Sequence, residues 1–78
     1  MIEIGKVLES TGALIKIKLN DVESFEDNKE SLKVGKYLTI QEGNLNYILA
    51  TILNIKTIDG DDIQYYIDVY KMSEKQAT

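Results

Sequence analysis

The sequence contains no cysteine and no histidine, and these two absences narrow the chemistry open to it. Without cysteine, disulfide bonds and thiolate zinc sites are excluded. Without histidine, the commonest general base and metal ligand is missing. No apolar run approaches the roughly 18 residues of a membrane span, and we expect no signal peptide. No catalytic constellation is visible, so we expect a non-catalytic domain with no cofactor. Because neither a membrane span nor a signal peptide is expected, we also expect this domain to be cytoplasmic, with no membrane contact.

Arginine is also absent, and the nine lysines are outnumbered by thirteen acidic residues, which gives a net charge of -4. A nucleic-acid-binding domain that acts alone usually presents a basic face. The acidic balance therefore argues against direct nucleic-acid binding, although a local stripe of lysines stays possible. The candidate members of such a stripe are Lys16, Lys18, Lys33 and Lys36, for which a solubilising role is the simpler interpretation.

Short apolar runs with glycine at their corners dominate the chain and predict strands at residues 2–8, 13–19, 34–41, 45–58 and 63–70. The clearest run is 13–19, where Ile15 and Ile17 alternate with lysines at the period of two that a strand requires. Glycine within such runs is typical of bulges and tight bends. The sequence therefore predicts an all-β fold, a small closed or nearly closed barrel of five to six strands. Residues 1–70 would form the barrel and residues 71–78 a polar linker or chain end.

The connections between these runs are acidic. Residues 20–31 predict a long loop or a single helical turn that Val22 and Phe25 pin to the barrel, with a disordered segment as the alternative. Asp59-Gly60 predicts a two-residue hairpin turn, because both positions tolerate positive φ. The aspartates around Gly60 also raise the possibility of a calcium site, but no distal bidentate glutamate follows them, and a structural role is the simpler interpretation.

Two segments carry more apolar or aromatic side chains than a one-layer barrel can bury. The run 45–58 is apolar on both faces, which indicates burial on both sides and hence contact with a neighbouring subunit or domain. Its two faces are Tyr47, Leu49, Leu53 and Ile55 on one side and Ile48, Ala50 and Ile52 on the other. In the last strand, Tyr66 and Tyr70 flank Asp68 on one face, where aromatic side chains often mark interfaces. The alternative is that they pack against the acidic loop.

We expect four apolar or aromatic residues to face outward and to contact a partner, namely Tyr66, Tyr70, Ile48 and Ile52.

Three segments together carry a family resemblance: Ile4-Gly5-x-Val7-x-Glu9-x-x-Gly12-x-x-Ile15-x-Ile17, then Leu32-x-Val34-Gly35-x-Tyr37-Leu38-x-Ile40, then the strand around Ala50 to Ile55. This pattern resembles the N-terminal barrel of HerA-type ATPases, the HAS-barrel that is shared with ATP synthase subunits. The resemblance covers residues 2–70. The nucleotide-binding loops of the ATPase core are not in this sequence, since neither Gly5-Lys6 nor Gly35-Lys36 has the spacing of a phosphate-binding loop.

The resemblance implies a role in assembly and partner docking. HerA-like proteins are hexameric DNA translocases whose barrels form a ring at one end of the hexamer. By that resemblance, the partners would be copies of the same chain, a NurA-like nuclease in DNA end processing or another effector in antiphage defence, and DNA through the parent protein.

Three other interpretations stay open. A nucleic-acid-binding barrel of the OB or Sm-like kind would need aromatic and basic residues interleaved on one sheet face. The barrel of an ATP synthase-type subunit is disfavoured by the acidic insert at residues 20–31. An independent enzyme is the least supported class.

Overall fold

In the part of the chain that the structure describes, the fold consists of five antiparallel strands and one short helix. A computed structural model describes residues 3–44 and 46–76, with side chains as far as residue 73. The elements in chain order are β1 (Gly5–Thr11), β2 (Leu14–Leu19), α1 (Val22–Glu26), β3 (Tyr37–Glu42), β4 (Asn46–Ile58) and β5 (Gln64–Gln76). The strands form one sheet in the order β1-β2-β5-β4-β3, which curls into a half-barrel. The predicted all-β small barrel is therefore confirmed.

The core lies inside the curl and is entirely apolar in the part of the chain that the structure describes. β2 supplies it as the alternation predicted, with Ile15 and Ile17 buried while Lys16 and Lys18 face outward. Among the residues whose side chains are described, the buried ones are Ile15, Ile17, Leu19, Leu32, Ile48, Ala50, Ile52, Ile67 and Val69.

Three bulges bend the sheet. Each inserts one extra residue into a strand, namely Leu8 in β1, Leu53 in β4 and Met72 in β5. An inserted residue shifts the alternation of the residues that follow and increases the local twist. Beyond Leu53, Ile55 consequently pairs with Ile67 and packs against the core, so its predicted place on the same face as Leu53 is wrong.

Glycine marks two corners of the β1–β2 hairpin. A Cβ atom built on Gly5 would lie 2.6 Å from the Lys18 carbonyl oxygen, so the two backbones approach closely at this point. At the other end of the hairpin, Thr11 pairs with Leu14, and Gly12 begins the two-residue turn with a φ of 60°.

The connection between β4 and β5 differs from the predicted hairpin. Ile58 pairs with Gln64, which leaves residues 59–63 as the loop. Gly60 is not among the residues with positive φ, so the predicted two-residue turn at Asp59-Gly60 is wrong. The last paired positions of the two strands, and not the local turn preference, set the loop length.

β5 is longer than the sequence indicated. It continues through residues 71–76, where a polar linker was expected, because the first half of β4 needs a partner. The pairing runs from Lys71 opposite Ala50 to Gln76 opposite Asn46. The predicted strand positions at Ile2 and Leu45, and the end of the chain at 77–78, lie outside the described residues.

The acidic connection between β2 and β3 is docked on the barrel as the predicted helical turn. Asp21 caps α1, and its Oδ1 accepts a hydrogen bond from the Ser24 backbone N–H at 2.8 Å. The ring of Phe25 stacks on Tyr65 with centroids 4.2 Å apart and an interplanar angle of 7°. Leu32 is buried beyond the helix. Phe25 and Leu32 therefore join this connection to the apolar core.

Candidate interaction surfaces

Residues directly opposite each other on paired strands point to the same face, so the side chains form rows across the outer face of the sheet. Three of these rows cross at least four strands. The apolar row is Leu14, Tyr70, Thr51 and Tyr37, in order across β2, β5, β4 and β3. The mixed row is Glu9, Lys16, Asp68 and Asn54, and the lysine row is Lys6, Lys18, Tyr66 and Lys56.

The leucine and tyrosine side chains of the apolar row are about half exposed to solvent. Leu14 is 54% exposed, Tyr70 45% and Tyr37 63%. Single exposed apolar residues are ordinary, whereas several apolar residues in one row are typical of a contact surface. Thr51, between Tyr70 and Tyr37, is the one polar member of this row. The bulged residue Leu53, also exposed, lines a groove of about 560 Å³ beside Leu14. The apolar surface of the row therefore extends from Leu14 to Leu53 in that groove.

Sequence reasoning identified only one member of the apolar row, Tyr70. Leu14 could have been noticed because it shares the outward phase of Lys16 and Lys18 in β2. Tyr37 holds the equivalent position before Leu38 in β3, whose side chain packs on the core. Nothing local to these two residues indicates that they share a row, since that depends on the strand order.

The mixed row holds an ion pair that joins it to the lysine row. Lys56 Nζ lies 3.3 Å from Asp68 Oδ2, and the Asp68 side chain is 26% exposed. Lys16 stands between Glu9 and Asp68 in the same row. Acidic groups therefore offset part of the positive charge at this end of the sheet.

The lysine row interleaves an aromatic ring with cations. Tyr66 pairs with Lys18 on one side and Lys56 on the other, and Lys6 follows Lys18. The ring of Tyr66 is half-buried, and the Tyr66 hydroxyl donates a hydrogen bond to Gln64 Oε1 at 2.7 Å. The row is the arrangement that the nucleic-acid-binding alternative requires.

The lysine stripe that the sequence left possible is only partly assembled. Lys16 and Lys18 do lie on the outer face, but Lys33 and Lys36 are in the connection that precedes β3. Lys33 Nζ bonds Glu30 Oε2 at 3.0 Å. Lys6 and Lys56 lie beside Lys18 and Tyr66 instead. Their position depends on the strand pairing and is not visible in the sequence.

The four proposed contact residues divide into two pairs. Tyr66 and Tyr70 lie on the outer face of β5, and their contact with a partner stays a prediction. Ile48 and Ile52 are 7% and 1% exposed, so the outward placement proposed for them is wrong. They lie on the concave side of β4 because the period of two places them there with Ala50.

A second surface lies where the half-barrel stays open. The edge strands β1 and β3 face each other across a cleft of about 490 Å³, which we call the edge cleft. Its apolar lining is Ile4, Val7, Ile17, Leu19, Leu38, Ile40 and Ile67. No feature of the sequence indicated this cleft, because it depends on which strands become the edges.

The aspartates at the tip of the β4–β5 loop are exposed, and within residues 3–44 and 46–76 no three acidic side chains are grouped to hold a metal ion. In the same ranges, no helix is long and apolar enough to cross a bilayer.

Comparison with known proteins gave no match, either among protein-family models or among curated proteins.

Proposed function

We propose that this barrel is a non-catalytic assembly and partner-docking domain, the N-terminal barrel of a HerA-like hexameric DNA translocase. In this role it acts in the cytoplasm, in DNA end processing or antiphage defence, and the ATPase activity belongs to the parent protein. Its neighbours in the ring are copies of itself, and the ring docks a NurA-like nuclease or another effector.

The observation that carries the proposal is the apolar row. Tyrosine and leucine side chains that are about half exposed on a sheet face gain most from burial against another protein surface. Tyrosine is also among the residues that contribute most to binding when they are fully buried in an interface. Tyr70 stands near the middle of the row, flanked by Leu14 and Thr51, and is its expected anchor.

The glycines of the family resemblance support the proposal from a second direction. Gly5 lies where two backbones approach closely, Gly12 begins a tight turn, and Gly35 has a φ of 89°. Each therefore occupies a position where a side chain is disfavoured, as expected for the corners of a small barrel.

The proposal is tested on the native polypeptide that contains this sequence, by replacing Tyr70 and Leu14 together with serine. Burial of the row at an interface predicts that the oligomer dissociates or that its dissociation constant rises at least about tenfold. The control is Val34→Ser, which removes a side chain that is 66% exposed but lies outside the sheet. Sedimentation velocity measures the assembly. If the assembly had the same mass in both variants and in the unchanged protein, the apolar row would not lie at the interface.

The lysine row favours a second candidate function, the binding of single-stranded nucleic acid. Stacking of one base on an aromatic ring contributes about 1–3 kcal/mol, and lysines beside the ring contact the neighbouring phosphates. Tyr66 with Lys18 and Lys56 offers this combination on a surface separate from the apolar row. The net charge of -4 and the Lys56–Asp68 ion pair oppose it, so it stands second.

This second function is tested by titrating a fluorescent oligothymidine into the protein at several salt concentrations. Phosphate contacts predict an affinity that falls with salt, with a slope of about -0.7 per phosphate for single strands. Tyr66→Ala should weaken binding about tenfold, whereas Tyr70→Ala, on the same face but in the other row, should not. Affinity that is absent at low salt, or equal in the two variants, argues against the function.

A further inference from the structure

The two edge strands of the half-barrel run in the same direction. Every pairing in the sheet is antiparallel, so direction alternates along the order β1-β2-β5-β4-β3. The first and fifth strands of such an order are parallel to each other. Direct closure of β1 on β3 would therefore create one parallel pair in an otherwise antiparallel barrel.

A sixth strand resolves this mismatch. An antiparallel barrel closes without a parallel pair only when its number of strands is even. A strand inserted between β1 and β3 would run antiparallel to both. It would also pair with the backbone N–H and C=O groups that each edge presents on its free side.

The edge cleft has the lining that such a strand needs. Val7 pairs with the core residue Ile17 and so points inward, yet it is 45% exposed because no residue in the described part of the chain covers it from the β3 side. Leu38 and Ile40 line the opposite wall and are only partly buried. The floor is Ile67, which is fully buried. Side chains at alternate positions of an inserted strand would meet an apolar surface on this side.

We propose that the edge cleft binds an extended segment of a partner protein, with apolar residues at alternate positions, as a sixth strand antiparallel to β1 and β3. The occupant must have both of its backbone edges free. Each of the five strands of a second copy already pairs on at least one side, so a folded copy cannot supply it. The inference uses a surface different from the apolar row and does not depend on the proposed function.

The probe is a synthetic eight-residue peptide in which valine alternates with threonine and lysine. Backbone pairing on both edges predicts saturable one-to-one binding by isothermal titration calorimetry. It also predicts slower hydrogen exchange of the backbone amides that β1 and β3 present to the cleft. Two control peptides are used, one with the same composition but its valines adjacent, and one with N-methyl groups on alternate residues along one edge. Both should bind at least about tenfold more weakly.

Two protein variants locate the binding site. Val7→Lys places a charge on the β1 wall of the cleft, and Val34→Lys makes the same change at an exposed position outside it. The first should weaken binding of the alternating peptide at least about tenfold, and the second should leave it unchanged. If Val7→Lys fails to fold by circular dichroism, the N-methylated peptide and the exchange pattern still decide the question.

Three results would overturn the inference. One is absence of binding by the alternating peptide at millimolar concentration. Another is equal affinity for the alternating and N-methylated peptides. The third is exchange protection at β1 and β3 in the protein alone at high concentration, which would assign the cleft to a second copy.

Discussion

At the residue scale, the shape of the barrel depends on a few positions. At these positions two backbone segments approach closely, or the alternation of inward and outward side chains shifts by one residue. Gly5 is the clearest, because its missing side chain lets β1 approach the carbonyl of Lys18. Leu8, Leu53 and Met72 are the inserted residues of the three bulges, and all three are large, apolar and about half exposed. The features that curl the sheet therefore also place apolar side chains on its surface.

We predict that Gly5→Ala destabilises the barrel by about 1–3 kcal/mol, because the added methyl group would overpack the contact with β2. Its φ is not positive, so the effect would come from the clash and not from backbone strain. Gly60→Ala is the matched control, since its nearest neighbour is the Asp62 carbonyl oxygen at 4.0 Å. That change should alter stability by no more than about 1 kcal/mol. Urea unfolding measures both, and equal losses would show that no close approach exists at Gly5.

At the scale of elements, the helix α1 depends on its contact with β5. Five residues are too few for a helix to be stable alone, so tertiary contacts must hold it. The Asp21 cap and the stacking of Phe25 on Tyr65 are two of the contacts that hold it, and Phe25 also packs against the core. The presence of α1 therefore indicates that the acidic connection, residues 20–31, packs against the barrel.

We predict a coupling energy of about 0.5–1.5 kcal/mol between Phe25 and Tyr65 in a double-mutant cycle of alanine substitutions. The control cycle combines Phe25→Ala with Tyr66→Ala, because Tyr66 lies on the opposite face of the same strand. Its coupling should be close to zero. If both cycles gave the same value, the stacked contact would not be what holds the helix.

The elements also show what the sequence could predict. The alternation in β2 is local, so its buried and exposed residues were predicted correctly. The phase of Ile55 was not, because the bulge at Leu53 depends on how β4 and β5 pair. The Asp59-Gly60 turn failed for the same reason, since the pairing of Ile58 with Gln64 sets the loop length.

At the scale of the whole molecule, strand order creates both candidate surfaces. It joins Leu14, Tyr70, Thr51 and Tyr37 into one row and leaves β1 and β3 as edges across a cleft. Neither could be predicted from the sequence, because residues from opposite ends of the chain meet in them. Under the two proposals, the sheet face would contact neighbours in a ring and the open edge would bind a separate partner strand.

The central claim is that this barrel assembles a ring in its parent protein. The most direct test is the mass, by native mass spectrometry, of the endogenous polypeptide and of its assembly. The account predicts a polypeptide several-fold larger than this chain that assembles as a hexamer. A polypeptide of about this chain's mass that stays monomeric would contradict it.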